Sequence, residues 1–314
     1  MTPTTLHVAV LSGGISLERQ VSLRSGHRVA NALGDAGHQV TSLDLDAEVV
    51  ERLTNERPDV VFLAVHGAAG EDGTIQSLLE VLRLPYTGPD VLASSLAWNK
   101  PIAQGLYARA GVTVPPAVTL SQQAFRELGA SATLERIADE LGTRLVVKPA
   151  TGGSSLGISR VTAVDELPRA VLGAFSYADA VLIEQHVDGI EVAVSVLHGR
   201  PLPAVEIEAP DGVYDFAARY TAGATTFHAP ARLDSDVLEA CADAAVASYD
   251  AIGARHISRA DLIVDADGRP WVLELDTCPG LTETSLLPLA AEADGQTFTE
   301  LCTRLVELAL GDGA

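Results

Sequence analysis

The chain has 314 residues, 47% of them apolar and 20% charged, with 42 acidic against 21 basic residues and a formal net charge of −21. It is long enough for about two domains and too apolar for a disordered chain. So large an excess of acids repels a phosphate backbone, which argues against nucleic acid as a partner. No apolar run approaches the roughly 20 residues that cross a bilayer as a helix. Residues 1–14 carry no basic stretch and run into a strand-like segment, so no signal peptide is expected. Cys241, Cys278 and Cys302 are odd in number and lack CxxC spacing. They read as thiols of a reducing, cytoplasmic compartment, with no disulfide framework or zinc site.

In chain order, residues 7–11 form an apolar run that ends in Ser12-Gly13-Gly14, and 21–33 have helical spacing. Residues 40–45 read as a strand, 48–55 as a short helix, 60–65 as a third strand and 75–84 as a helix. This βαβαβα alternation predicts a parallel sheet, with ligands beyond the carboxyl ends of its strands. Those ends carry Ser12-Gly13-Gly14 and the run from His66 to Gly73. Residues 85–89 read as a turn and boundary. The segment 91–140 reads as mostly helical, broken at Pro115-Pro116. From 144 onward strands dominate, with hairpin signals at Asp188-Gly189 and Asp267-Gly268, and 298–310 read as a terminal helix. The fold class is an α/β domain followed by an α+β half.

The basic residues comprise 19 arginines and two lysines, Lys100 and Lys148. Codon bias accounts for most of the skew but not for the two that remain. Arginine replaces lysine poorly where a compact point charge is needed, as at a phosphate. Lys148 sits in a strand just before Gly152-Gly153-Ser154-Ser155-Leu156-Gly157. Glycines and small hydroxyls let backbone N–H groups close on an anion. The pattern GxxxxGK[ST] is absent and a strand, not a helix, follows, so the loop reads as a flap over nucleotide phosphates or as an ordinary hairpin.

The most informative stretch is 257–276. With Asp267-Gly268 as a two-residue loop, Asp261 lies opposite Glu274 and Arg259 opposite Asp276, all four on one face. Ala260, Leu262, Val264, Trp271, Leu273 and Leu275 would form the core face. Like charges facing each other destabilise a ladder, so the acidic face calls for a cation. Arg259 supplies one, and a hard divalent metal suits the rest. Glu184 and Glu191 flank the Asp188-Gly189 turn and read as surface acids or as acceptors for adenine and ribose.

Taken together, these pieces resemble the D-alanine–D-alanine ligases of the ATP-grasp superfamily nearly end to end. The match runs through Leu11–Gly14 with Glu18–Leu23, then His66-Gly67 with Gly70–Thr74 and Pro85–Gly88. It continues through Val147-Lys148-Pro149 with Gly153–Gly157, Tyr214-Asp215 with Arg219-Tyr220, and Leu273-Glu274 with Thr277–Thr282 and Ser285-Leu286. The resemblance implies an N-terminal domain over 1–97, a central ATP-grasp subdomain over 98–183 and a C-terminal one over 184–314, with ATP between the last two. It implies that one D-alanine carboxylate attacks the γ-phosphate of ATP, and that the amine of a second D-alanine then attacks the acyl phosphate. The product is the dipeptide used in peptidoglycan precursors.

By the same resemblance, Glu18 would hold the first ammonium and His66 would line that site. Lys100, Lys148, Ser155 and Arg219 would contact ATP phosphates, and Glu184 and Glu191 adenine and ribose. Ser154 would link Glu18 to Tyr220. Arg259 and the Gly280 N–H would stabilise the oxyanion, and Ser285 and Leu286 would receive the second carboxylate. Asp261, Glu274 and Asp276 would bind two Mg2+ ions, with Mn2+ as a substitute. A homodimer is implied. Asp276 and Arg219 depart from the asparagine and lysine usual in the family, while Tyr220 agrees with dipeptide formation. The competing readings are a ligase for a different D-amino acid and a nucleotide-binding protein without catalysis. Retention of Glu18, Arg259, Glu274 and both lysines argues against the latter.

Overall fold

The computed structural model describes residues 5–127, 129–209 and 225–311. The first part alternates as expected: β1 (His7–Ser12), α1 (Arg19–Asp35), β2 (Gln39–Asp44), α2 (Val49–Glu56), β3 (Val60–Leu63) and α3 (Thr74–Leu82). The three strands form a parallel sheet in the order β2-β1-β3. The segment expected as a turn at 85–89 does bend at Thr87 and Gly88, and it also touches the edge of that sheet. Tyr86 bridges Val61 in parallel, and Thr87 donates to the Val61 carbonyl at 3.0 Å.

Next come α4 (Val91–Trp98) and α5 (Lys100–Arg109), capped by Asp90 and Asn99, whose side chains accept from Ala93 N and Ile102 N. Beyond Pro115-Pro116 the helical expectation fails over five residues and then holds through two further helices. Residues 117–121 are a strand, β4 (Ala117–Ser121), before α6 (Gln122–Glu127) and α7 (Ala130–Leu141). The prolines cannot continue a helix, and pairing along a neighbouring strand decides the short segment that follows them.

The central sheet has the order β4-β7-β5-β6, all antiparallel, with β5 (Leu145–Pro149), β6 (Ser159–Val161) and β7 (Ala180–Gln185). Helix α8 (Leu167–Ala174) packs on it. The glycine loop joins β5 to β6.

The last sheet has β8 (Ile190–Leu197), the short β9 (Arg200–Pro201), β10 (Val205–Glu208), β11 (Thr226–His228), β12 (Ile257–Val264) and β13 (Pro270–Asp276). Its order is β11-β10-β8-β12-β13, with β9 on β8. Asp188-Gly189 therefore does not close a hairpin: β7 and β8 belong to different sheets, and the turn is a crossover between them. A Cβ at Gly189 would lie 2.1 Å from the Val264 carbonyl oxygen, so the crossover needs glycine to pass the end of β12.

Helices α9 (Ser235–Ala251), α10 (Leu286–Ala293) and α11 (Phe298–Gly311) complete the fold. The 17-residue α9 lies within the stretch read as strand-dominated. It buries Cys241, Ala245, Ser248 and Tyr249, one stripe at helical spacing. The three cysteines are buried and free.

One core joins the two ends of the chain. Val8, Val10, Val60 and Phe62 of the first sheet pack in the same cluster as Ala193, Val205 and Ile207 of the last, with Leu301 and Leu305 of α11. Each fully buried aliphatic side chain contributes about 1.5–3 kcal/mol. This shared core fixes the start of α1 relative to the last sheet. Helix α5 packs on the other face of that sheet through Ala103 and Tyr107. A cleft lies between these elements.

Candidate active site

The hairpin β12–β13 places the acidic residues as predicted, but by a different route. Arg259 pairs with Asp276 and Asp261 with Glu274, and the register then shifts by one beyond Asp261. The loop has three residues, since Gly268 N donates to Asp265 O and Asp265 N to Arg269 O. Gly268 adopts φ +77°, the left-handed position of such a loop. A bulge at Leu273 restores the pairing, and two departures of one residue each cancel. The bulge corrects the predicted core face. Val272 is fully buried opposite Leu262, while Trp271 and Leu273 are half-buried. The Leu273 carbonyl, freed from the ladder, accepts from Gln104 Nε2 at 3.1 Å.

Arg259 is clamped by carboxylates. Its Nε and one terminal nitrogen donate to Asp261 at 2.6 and 2.9 Å, and the other reaches Asp276 at 3.0 Å. Both oxygens of Asp276 are used, since Cys278 N donates to Oδ1 at 2.9 Å. The guanidinium plane is thus held still at the head of the cleft.

Lys100, the first residue of α5, donates to the Gly152 carbonyl of the glycine loop and lies 3.5 Å from Glu274. Its backbone N–H binds Ala150 O, so the loop and α5 are tied together. Lys148 on β5 pairs with Glu184 on β7 at 2.6 Å, both side chains almost fully buried. Gln104 Nε2 donates to the other Glu184 oxygen at 2.5 Å. Ser154 and Ser155 both take left-handed backbone angles, φ +53° and +57°. Two successive non-glycine residues there are strained, and such strain clusters at ligand clamps and active sites.

Glu18, 7% exposed, stands at the N-terminus of α1, where the helix dipole favours a carboxylate. Gly67 (φ +77°) makes room for it, because a Cβ there would lie 2.4 Å from Glu18 Oε2. His66 is held at both nitrogens. Cys278 O can only accept, so Nδ1 carries the proton at 2.9 Å, and Nε2 accepts from the Ser25 hydroxyl at 2.8 Å. Burial holds this imidazole below its usual range, in keeping with a neutral ring.

Gly280 faces Ser285 so closely that a Cβ would lie 2.7 Å from its hydroxyl oxygen. Ser285 precedes the N-terminus of α10, a natural seat for a carboxylate. Its Oγ accepts from Thr282 N at 3.0 Å.

A cleft of about 520 Å³ is lined by Glu18, His66, Lys100 and Ser154, by Arg259, Glu274 and Asp276, and by Gly280, Ser285 and Leu286. Lys148 and Ser155 line a narrow space beside it, together with Lys100 and Glu274. Asp261 lies buried beneath Arg259, and Glu184 beneath Lys148. Glu191 is the second residue of β8, across the crossover from Glu184. Arg219 and Tyr220, with Tyr214 and Asp215, lie outside the described residues.

Sequence reasoning missed Glu71 and Gln104. Glu71 lines the cleft, and its carboxylate accepts from Gly67 N at 2.6 Å. Burial, with Asp276 and Glu18 nearby, pushes its carboxyl well above the usual range. The run Gly70-Glu71-Asp72-Gly73 was its signal. Gln104 had none, because a glutamine on a helix identifies no partner 80 positions away.

The oxygen-only donors of Asp261, Glu274 and Asp276 fit a hard divalent cation. Arg259 and Lys100 occupy their charge here. Among the described residues, the group whose ligand atoms all lie within 4.8 Å of one another is instead Glu206, Glu208 and His228. Arg232 already bridges both of those glutamates.

Comparison with known proteins identifies the family. The family model "D-ala D-ala ligase C-terminus" matches residues 106–307, and "D-ala D-ala ligase N-terminus" matches 47–89. A D-alanine–D-alanine ligase of Anaeromyxobacter dehalogenans is 43% identical, over 98% of this chain and 97% of its own length. One from Pelotomaculum thermopropionicum is 42% identical over the same shares. The Bacillus anthracis D-alanine–D-alanine ligase complexed with ATP superposes with a TM-score of 0.84 at 30% identity, covering 98% of this chain and 99% of the other. A D-Ala:D-Ser ligase from Enterococcus faecalis has the same TM-score at 28% identity, covering 98% and 100%. The chain belongs to the D-alanine–D-alanine ligase family, with an ATP-grasp fold behind an N-terminal parallel sheet.

Proposed function

We propose that this cleft carries out the family reaction with the residues predicted from the sequence. The reaction is the ATP-dependent joining of two D-alanines, which supplies the dipeptide of peptidoglycan precursors. The observation that carries the reading is the meeting of Glu18, Lys100, Arg259 and Ser285, from separate parts of the chain, around one cleft.

Glu18 pairs with the ammonium of the first D-alanine and turns its carboxylate toward the γ-phosphate of ATP. Lys100, Lys148 and the N–H groups around Ser154 and Ser155 hold the phosphates, with Arg219 adding a further cation. Glu184 and Glu191 accept from adenine and ribose. The acyl phosphate gives the carboxylate a leaving group. The second D-alanine, its carboxylate at Ser285 and Leu286, attacks with its amine. Arg259, held rigid by Asp261 and Asp276, and the Gly280 N–H stabilise the tetrahedral oxyanion, and phosphate departs. Such preorganised donors supply most of the catalysis when charge develops in a water-poor site. His66, neutral, lines the first subsite. Asp261, Glu274 and Asp276 would hold two magnesium ions, which neutralise phosphate charge.

The functional units in this reading are residues 1–97, 98–183 and 184–314, acting in the cytoplasm as a homodimer. No helix among the described residues is long and apolar enough to cross a membrane.

The test is product analysis by mass spectrometry with ATP, magnesium and D-alanine, and L-alanine as control. D-Ala-D-Ala with matching ADP release supports the reading. A mixed dipeptide when D-serine is added, without D-Ala-D-Ala, would replace it with a ligase for another acceptor. ADP release with no dipeptide, or no turnover on any D-amino acid, would sink it.

A further inference from the structure

We propose that Arg28 is a positioning residue for the second D-alanine, holding the 281–285 loop in register with α1, the helix that Glu18 precedes. The proposal rests on the reading of Gly280 and Ser285 given above.

Ser25 and Arg28 lie three residues apart on α1 and so project from one face of it. Between them they take both backbone polar groups of Leu281. Leu281 N donates to Ser25 Oγ at 3.2 Å, and one terminal nitrogen of Arg28 donates to Leu281 O at 2.9 Å. The same nitrogen donates to Thr282 O at 2.9 Å. Thr282 in turn donates its N–H to Ser285 Oγ at 3.0 Å, and the two hydroxyls lie 2.8 Å apart. An unbroken path therefore runs from α1 through Arg28 and Thr282 to the hydroxyl assigned to the second carboxylate.

The loop is irregular, so its carbonyls depend on side chains for partners. Arg28 suits this role because its guanidinium is planar and anchored. It lies 3.7 Å over the ring of Phe298, the first residue of α11. Its contact with Glu283 is 3.9 Å long and that carboxylate is 77% exposed, so this pair adds little. Glu18 immediately precedes α1, and Arg28 stands on that same helix. The helix thus acts as a ruler between the site that holds the first ammonium and the loop that holds the second substrate.

The experiment measures initial rates for Arg28→Ala, Arg28→Lys and Ser285→Ala, resolving KM for ATP and for each D-alanine. Displacing a substrate-holding group from a distance lowers rate by one to two orders of magnitude. Arg28→Ala is expected to raise KM for the second D-alanine about tenfold, with the other two KM values within about twofold. Arg28→Lys keeps a cation without the planar fork and is expected to raise it about threefold. No change at the second site, or an equal rise in all three KM values, overturns the proposal. If Arg28→Ala does not fold, Arg28→Lys decides it by the same criterion. A second-site KM that ignores Ser285→Ala overturns the reading of the site itself. One that responds to Ser285→Ala but not to Arg28→Ala overturns the role of Arg28 alone.

Discussion

The Lys148 ammonium lies 2.6 Å from the Glu184 carboxylate, on adjacent strands β5 and β7, and neither side chain is more than 5% exposed. Such a pair adds little net stability while intact, since desolvation offsets its attraction, but breaking it is costly because one partner alone is an uncompensated buried charge. Glu184→Ala is expected to lower unfolding stability by about 3–5 kcal/mol, read from denaturant melts. Arg144 and Asp188 form a pair of similar length at the surface, 57% and 67% exposed. Arg144→Ala should cost no more than about 1 kcal/mol. Equal losses would show that Lys148 is not desolvated as described.

Gly67 separates space from strain. Gly67→Ala would place a Cβ 2.4 Å from Glu18 Oε2 at φ +77°, whereas Gly37→Ala has a similar φ of +90° and no atom within 4 Å. Both should lose roughly 1–2 kcal/mol from the backbone. Only Gly67→Ala should also displace Glu18, with kcat/KM for the first D-alanine falling about 100-fold. Matched kinetics in the two variants would remove Glu18 from the first subsite.

Glu71 sets a pH dependence. Burial raises its carboxyl well above 4.5 in the folded chain. Between 4.5 and that raised value the folded state binds more protons than the unfolded one, so its contribution is present at low pH and lost as pH rises. Glu71→Gln keeps an acceptor for Gly67 N and removes the ionisation. A Tm gain of a few degrees is expected at about pH 8 and none at about pH 4. His66 works in the opposite sense. Its value lies below 6.5, so its contribution is lost as pH falls through that region. A gain from Glu71→Gln that does not vary with pH would contradict the assignment.

Asp276→Asn leaves one oxygen to serve both Cys278 N and Arg259, where two now do so. It also removes one negative charge from the proposed metal donors. Turnover should persist within about tenfold, and the midpoint of the magnesium titration should rise about fivefold, equivalent to ~1 kcal/mol. An unchanged midpoint would mean that Asp276 acts on Arg259 and not on the metal.

The reading from sequence succeeded where chemistry is written locally. The parallel βαβαβα start, the glycine loop beside Lys148 and the shared face of Arg259, Asp261, Glu274 and Asp276 all follow from short-range pattern. It failed where a partner elsewhere in the chain decides the outcome. Asp188-Gly189 looks like a hairpin turn, and only the separation of β7 and β8 into two sheets makes it a crossover. The segment 117–121 becomes a strand because β7 offers it a ladder. The acidic register was right through a three-residue loop and a bulge at Leu273 that offset each other, and local alternation could not show either.

The sequence by itself determined the α/β start, the glycine-rich strand ends and the acidic face, since periodicity, glycines and turn residues act over a few positions. Only the tertiary structure decided that Gln104 reaches Glu184 and that Glu71 is driven toward its protonated form. It alone revealed that Ser25 and Arg28 grip Leu281, more than 250 positions away. Those relationships depend on burial and on contacts between distant segments, and no spacing along the chain encodes them.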